Sequence, residues 1–260
     1  MIRQENNKKN ILLVNDSYFS YLLAKELIIN RHYEIDRIIF SESTTGSYKK
    51  VFKIFKKASK SFFFYRVFVF ILTKFIYRKR SIKYLASKYN IASVHTRDLK
   101  EFTQDKYRFD TGFAFNFDIV IRKQFLNMFT NGIYNIHASR LPQDKGISPV
   151  LWAFARGDRE IWSSIYKMDA GIDTGDIFKQ FAIGVKEGES AFSLYSRVCK
   201  ISGKELFLNF DTLLNDNVKL EKQPILDSSS YLSWPDQNFD RMMKQSNREL
   251  FKISDLKIKI

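Results

Sequence analysis

The chain has 260 residues, 16% of them aromatic, and a formal net charge of +15. That length can bury a full hydrophobic core, and one large domain with a small appendage fits it. A single cysteine, Cys199, excludes an internal disulfide and any cysteine metal cluster, and no run reaches the roughly 18 uncharged apolar residues of a bilayer span.

The opening MIRQENNKKN is polar and lacks the apolar core of a secretory signal, so the expected compartment is cytoplasmic. The positive charge is not spread evenly. From Ser43 to Arg97 there are fourteen Lys and Arg and no Asp or Glu, which accounts for nearly all of the net charge. The remainder is close to neutral, so the basic character belongs to that one stretch.

In chain order, Ile11 to Val14 reads as a strand. Asp16 or Ser17 caps a helix carrying Leu22, Leu23, Leu27 and Ile28 at helical spacing, and Arg37 to Phe40 reads as a second strand. This β-α-β opening lacks Gly-x-Gly-x-x-Gly, which argues against a dinucleotide pyrophosphate site. No Gly or Pro interrupts residues 47–111, a composition that permits long helices. There Lys49, Lys53, Lys56 and Lys60 share one helical stripe, with Val51, Ile54, Phe55 and Ala58 opposite. Ser61 to Tyr77 follows, apolar nearly all round. For this basic aromatic insertion, residues 43–80, three readings stay open: packing on the domain or on a second subunit, an amphipathic element on an anionic membrane (48–80), or RNA binding.

Beyond it, Ser81 to Tyr89 reads as a helix and Ile91 to Val94 as a strand. Ile121 to Phe129 reads as an amphipathic crossover helix. Asn131-Gly132 is expected to turn into a strand at Ile133 to Ile136. Two strands, Ile161 to Met168 and Ile177 to Ile183, flank the loop Asp169 to Asp176. A helix through Leu194, Val198 and Ile201 precedes another through Leu206, Leu208, Phe210 and Leu214. The tail from Lys219 is short and polar.

Asn135 and His137 stand two apart at a strand end, and Asp173 stands in a Gly-rich loop. Around them, in order, are Ser139, Leu141-Pro142, Gly146, Pro149, Trp152-Ala153, Gly157-Asp158, Met168-Asp169, Gly171 and Asp173-Thr174-Gly175-Asp176. This wording resembles the folate-dependent formyltransferase family. The resemblance is dense over these forty-odd residues, weaker but traceable from Ile11 to about Asn217, and lost over Ser43 to Tyr77.

The resemblance implies an α/β fold: a Rossmann-like parallel-sheet catalytic domain over residues 1–217, with the helical basic insertion and a small C-terminal extension over 218–260. It implies 10-formyltetrahydrofolate as co-substrate and no metal. Asn135 would donate to the tetrahedral oxyanion, His137 would handle protons and Asp173 would orient the imidazole. Phe113, Phe115, Asp169 and Gly171 would lie beside the cofactor, with Asp169 and Asp176 also shaping the loop. Ser139 and Lys145 would face the acceptor. Trp152 and Cys199 read as buried structural side chains, and His32 and His95 as ordinary ones. The family's Gly-Val-Thr-Ile-His is replaced here by Trp162-Ser163-Ser164-Ile165-Tyr166, and Arg140 and Lys145 also depart from its pattern, all on a rim expected to face the acceptor.

The expected reaction is formyl transfer to a primary amine of a nucleotide-linked amino sugar, in a possible homodimer. Tyr231 to Pro235, YLSWP, resembles sugar-directed members. The alternatives are a methionyl-tRNA formyltransferase-like enzyme, with tRNA as partner, a formyltetrahydrofolate hydrolase, or a catalytically silent protein recruited to membrane or RNA.

Overall fold

Alternation along the first strand sets the layers. In β1 (Asn10–Val14), Leu12 and Val14 face one side of the sheet, while Ile11 and Leu13 face the other. Successive strand side chains point to opposite faces, so a strand buried on both sides reads as a continuous apolar run. The computed structural model describes residues 9–42, 59–77, 79–103, 108–224 and 231–257. The expected stripe from Lys49 to Ala58 lies outside the described residues.

Ser17 caps α1 (Tyr18–Arg31), its hydroxyl accepting from the Ser20 amide at 3.2 Å. The chain returns through β2 (Ile35–Ser41), parallel to β1. Then come α2 (Lys60–Ile71), a π-helical turn (Leu72–Ile76), α3 (Ile82–Lys88) and β3 (Ala92–Thr96). One-turn α4 (Lys100–Thr103) leads towards β4 (Phe109–Phe115), and one-turn α5 (Lys123–Leu126) to β5 (Phe129–His137). After β6 (Lys145–Gly146) and α6 (Pro149–Arg156), β7 (Glu160–Lys167) and β8 (Ile177–Gly184) complete the main sheet. α7 (Ala191–Leu208), one-turn α8 (Phe210–Leu213), β9 (Tyr231–Leu232) and α9 (Gln237–Gln245) follow.

The seven-stranded sheet runs β3-β2-β1-β4-β5-β7-β8. Its first five members are parallel, and β7 and β8 are antiparallel additions. The order reverses between β1 and β4, the place where open α/β sheets leave a crevice outside their strand ends. One face is covered by α1, α7 and the inner side of α2. The other is closed by a smaller cluster including Phe109, Phe125 and Ile133. Gly203 of α7 sits so close to the Leu23 carbonyl that a Cβ would clash with it, which lets α7 lie tightly on α1. The C-terminal segment joins the same core: Phe239 and Leu250 are buried in it, and the Arg248 guanidinium donates to the Phe154, Gly157 and Asp158 carbonyls.

Three local expectations change. Residues 121–129 are not one helix: only Lys123–Leu126 winds, because the Met128 carbonyl accepts from the Phe109 amide at 2.8 Å and the strand has already begun. Asn131-Gly132 is no turn. Gly132 takes φ +85° inside β5, where the register against β4 slips, and Asn131 donates to Thr111 Oγ1 and the Leu214 carbonyl. A glycine with positive φ can serve a bulge as well as a turn. Leu206 and Leu208 belong to the long α7, and only a single turn follows it.

Candidate active site

Asn135 and His137 lie two residues apart on β5, so their side chains share one face. β7 pairs antiparallel with β5, setting Tyr166 directly opposite Asn135 and Ser164 opposite His137. Cross-strand partners sit within reach of one another. The Asn135 amide nitrogen donates to the Tyr166 hydroxyl at 2.9 Å, and that hydroxyl donates to Asp173 Oδ1 at 2.8 Å. The other carboxylate oxygen, Oδ2, accepts from the Gly146 amide at 2.8 Å and lies 3.6 Å from His137 Nε2. Asn135, His137 and Asp173 thus meet in one cleft, with Tyr166 as the link between the first and the last.

Asp173 reaches the cleft because its backbone is left-handed, φ +53°. Asp is among the few non-glycine residues that tolerate this region. Gln223 fixes the loop from behind, donating to the Asp173 and Gly175 carbonyls. Asp169 shapes it in front, its carboxylate accepting from the Gly171 amide and the Thr174 hydroxyl. Added Cβ atoms at Gly171 and Gly175 would strike Thr174 and the Lys167 carbonyl.

His137 Nε2 lies 3.2 Å from the Asp144 carbonyl. A carbonyl only accepts, so in this geometry Nε2 carries the hydrogen. Asp144 is itself left-handed, φ +54°, and its carboxylate is clamped by Arg156, which also holds Asp158 at 2.9 Å. Side-chain exposure is 11% for both His137 and Asp173, enough to admit a substrate edge while excluding most water. Tyr166 is buried. Burial first, and then the Asp173 charge, push its phenol far above the ordinary tyrosine range, so it remains a neutral donor.

The loop after His137 is pinned as well. Ser164 Oγ donates to the Ser139 carbonyl at 2.6 Å, and Gln180 donates to both the Leu141 carbonyl and Ser164 Oγ. A cavity of about 470 Å3 is lined by residues including Ser139, Arg140, Asp144, Arg159, Glu160 and Trp162.

Several sequence-derived roles shift. Phe113 and Phe115 are core side chains, 1% and 0% exposed, Phe113 packing between Tyr134 and Phe210. Their alternation on β4 turns them into the sheet's packed face, so their rings do not open on the cleft. Lys145 is buried with its ammonium over the Tyr231 ring at 5.9 Å. Ser139 Oγ is engaged with the Gln143 carbonyl, although the residue lines the cavity. Trp152 is a core residue, donating to the Ser233 carbonyl. His32 stacks on Tyr89, and exposed His95 on Phe40, both away from the cleft. Tyr166 and Gly146 were not expected inside the cleft. Pairing β5 with β7 in antiparallel register would have placed Tyr166 there, since it lies as far before Asp173 as the loop requires. No group of acidic, His and Cys side chains suited to a metal occurs among the described residues.

A doubly wound sheet with an amide, an imidazole and a carboxylate converging at its strand ends is an arrangement that can serve acyl transfer. The formyl transferase family model matches residues 77–209, just over half of the chain, and the protein belongs to that family.

Among curated relatives, methionyl-tRNA formyltransferase of Coxiella burnetii (strain RSA 331 / Henzerling II) is 36% identical over 107 residues, 41% of this chain and 34% of that protein. That of Anaeromyxobacter dehalogenans (strain 2CP-C) is 37% identical over 87 residues, 34% and 28% of the two chains. The chain thus spans about a third of the length of the curated relatives it matches. Among solved structures, WlaRD, a sugar 3N-formyl transferase determined with dTDP and 5-N-formyl-THF, superposes with a TM-score of 0.60 at 20% identity, covering 86% of this chain and 69% of its own. The Helicobacter canadensis N-formyltransferase bound to folinic acid and dTDP-3-aminofucose gives 0.60 at 19% identity, with 86% and 70% covered. Phosphoribosylglycinamide formyltransferase of Streptococcus pneumoniae TIGR4 gives 0.55 at 14%, covering 80% and 99%. At these identities the likeness is one of fold.

Proposed function

We propose that the protein transfers the formyl group of 10-formyltetrahydrofolate to a primary amine carried by a nucleotide-linked amino sugar. The observation that carries this reading is the unbroken contact path from Asn135 through Tyr166 and Asp173 to His137 within one cleft. The Asn135 amide nitrogen has two hydrogens. Tyr166 takes one, which leaves the second for an oxyanion.

In the reaction the amine lone pair attacks the formyl carbon and the carbonyl electron pair moves onto oxygen, where Asn135 meets it. Collapse breaks the bond to the folate nitrogen, which keeps the electron pair and needs a proton. The amine must lose one. Asp173 and His137, with Oδ2 and Nε2 3.6 Å apart, pass that proton between the two nitrogens. Phe113 and Phe115 being buried, folate contacts fall to the loop Asp169 to Gly171 and to the main chain at the end of β4.

The acceptor class is supported by the cavity beside His137. Its acids are engaged, Asp144 and Asp158 by Arg156 and Glu160 by the Trp162 indole at 2.8 Å. Arg140, lying 4.4 Å over the Trp162 ring, and Arg159 each offer it a guanidinium able to pair with a phosphate. Two solved proteins of this fold hold dTDP or a dTDP-amino sugar. The methionyl-tRNA reading draws on the names of the curated relatives, which match along only a third of their length.

The test is release of tetrahydrofolate from 10-formyltetrahydrofolate against a panel of amines. Release driven by one nucleotide amino sugar is the expected result. Release driven only by charged initiator tRNA would move the acceptor to RNA, and equal release without any amine would make the protein a hydrolase.

A further inference from the structure

The helix α2 has two unlike sides. Inward, Phe62, Tyr65 and, two turns on, Leu72 are buried. Phe68 stacks on Phe251 with ring centres 4.2 Å apart and meets Phe192 edge-on. The N-terminus is tied down too: Ser59 Oγ and the Lys60 amide both donate to the Asp240 carboxylate, and the Ser59 amide donates to the Pro235 carbonyl. A negative side chain at a helix N-terminus suits the helix dipole. The element is therefore held as a rigid part of the domain.

Outward, Phe64, Val67, Phe70, Ile71 and Phe75 recur at spacings of three and four and form a single stripe, each between 37% and 71% exposed. Scattered exposed apolar residues need no explanation, but a contiguous stripe of them does. Cations border it. Lys60 and Arg66 are exposed on α2 and Lys74 on the π-helical turn that continues it, with Lys74 Nζ 5.5 Å from the Phe70 ring and 5.8 Å from the Phe75 ring.

We infer that the outward face of α2 docks on an anionic lipid bilayer, the helix lying in the interface with its aromatic stripe at the acyl boundary and its lysines and arginine among the headgroups. The charge on the page selects this occupant. With no acid anywhere between Ser43 and Arg97, a second copy seated on the same face would set cations against cations. A nucleic acid would satisfy the charge but leave Val67 and Ile71 no role, since aliphatic side chains offer no stacking platform. An anionic bilayer takes both the cations and the apolar stripe. The contact is peripheral: among the described residues no helix is long and apolar enough to cross a membrane.

The full chain should float with vesicles of phosphatidylcholine containing phosphatidylglycerol, and do so about tenfold less with phosphatidylcholine alone or after raising the salt to about 0.5 M, where screening shortens to a few ångströms. Substituting Phe64→Ser, Phe70→Ser and Phe75→Ser together should weaken flotation at least tenfold. So should Lys60→Glu with Lys74→Glu, a variant that leaves the apolar stripe in place. Circular dichroism and thermal unfolding check that each variant is folded. The inference is overturned if the wild type ignores both vesicle types, if the stripe variant converts a dimer to a monomer without changing flotation, or if these residues govern binding to tRNA but not to lipid.

Discussion

The ends of β5 and β7 and the outer side of α2 differ in what holds each together. At the strand ends the side chains are joined by directed bonds: Asn135 meets Tyr166, Tyr166 meets Asp173, and Asp173 meets Gly146. On α2 the exposed stripe has no hydrogen-bonded geometry, only apolar area and positive charge. A network of directed bonds concentrates its effect in a few atoms, whereas a surface sums small increments over many. Single substitutions should therefore be severe in the first region and mild in the second.

The sharpest break comes from removing a member of the cleft. Asn135→Ala and His137→Ala should each lower kcat for formyl transfer by about 100-fold or more, the usual cost of one oxyanion donor or proton-transfer group. Neither residue is a core apolar side chain, so thermal unfolding should stay within a few degrees of wild type. Retained turnover in both variants would dismantle the proposed cleft chemistry. By contrast, one serine on the α2 stripe should leave turnover unaltered.

Tyr166→Phe asks whether the link matters apart from the groups it joins. The ring remains and the hydroxyl goes, so Asn135 loses an acceptor and Asp173 Oδ1 a donor. A hydrogen bond to a charged group contributes about 1.5–3 kcal/mol, so kcat should fall roughly 10- to 100-fold with a smaller change in KM. Because the phenol is held neutral, the alkaline limb of the wild-type pH profile should survive in the variant at lower amplitude. A profile that loses that limb would mean that Tyr166 titrates during turnover.

Gly146→Ala strikes the same carboxylate through the backbone. Gly146 sits at φ +99°, and an added Cβ would lie 2.5 Å from the Leu232 carbonyl oxygen across the β6–β9 pair. Strain of this kind costs on the order of 1–3 kcal/mol. The substitution should lower the unfolding temperature and shift the amide that donates to Asp173, reducing kcat by about tenfold. A loss of stability with full kcat would separate the amide from catalysis.

How far each region could be read in advance follows from the same contrast. Asn135, His137 and Asp173 were singled out through the family resemblance of the stretch around them, since a strand end and a Gly-rich loop alone raise only a suspicion, and the structure brings the three together. Tyr166 was not, because its place depends on which strand pairs with β5 and in which register, a non-local fact. The order β1-β4-β5 with antiparallel β7 and β8 is invisible for the same reason. The burial of Phe113 and Phe115 was not legible because a strand motif does not say which face the helices cover. For α2 the charge and the apolar content were plain, but an element apolar nearly all round does not declare which half will be packed. That choice was made by Phe192, Phe251 and Asp240, which are distant in the chain.

The smallest expected effect lies on the inner side of α2. Tyr65 is 3% exposed, and its hydroxyl has no hydrogen-bond partner among the described residues. Burial raises its phenol far above the ordinary range. An acid whose folded pKa is raised contributes stability that is fully present below its unfolded value, about 10 for tyrosine, and lost as the pH climbs beyond it. The buried Cys199 and the partly buried Tyr195, both also pushed up chiefly by burial, act in the same sense nearby, so the wild type should begin to weaken above about pH 8.5, where the unfolded thiol ionises, and more steeply above about pH 10. Tyr65→Phe removes one of these groups together with an unpaired hydroxyl, a change worth about 1 kcal/mol in favour of the fold. The unfolding temperature near neutrality should rise by about 2–4 °C, with a shallower decline in alkali. A fall instead would mean that the hydroxyl is satisfied in solution, and that the inner side of α2 is specified by a directed bond after all, as the cleft is.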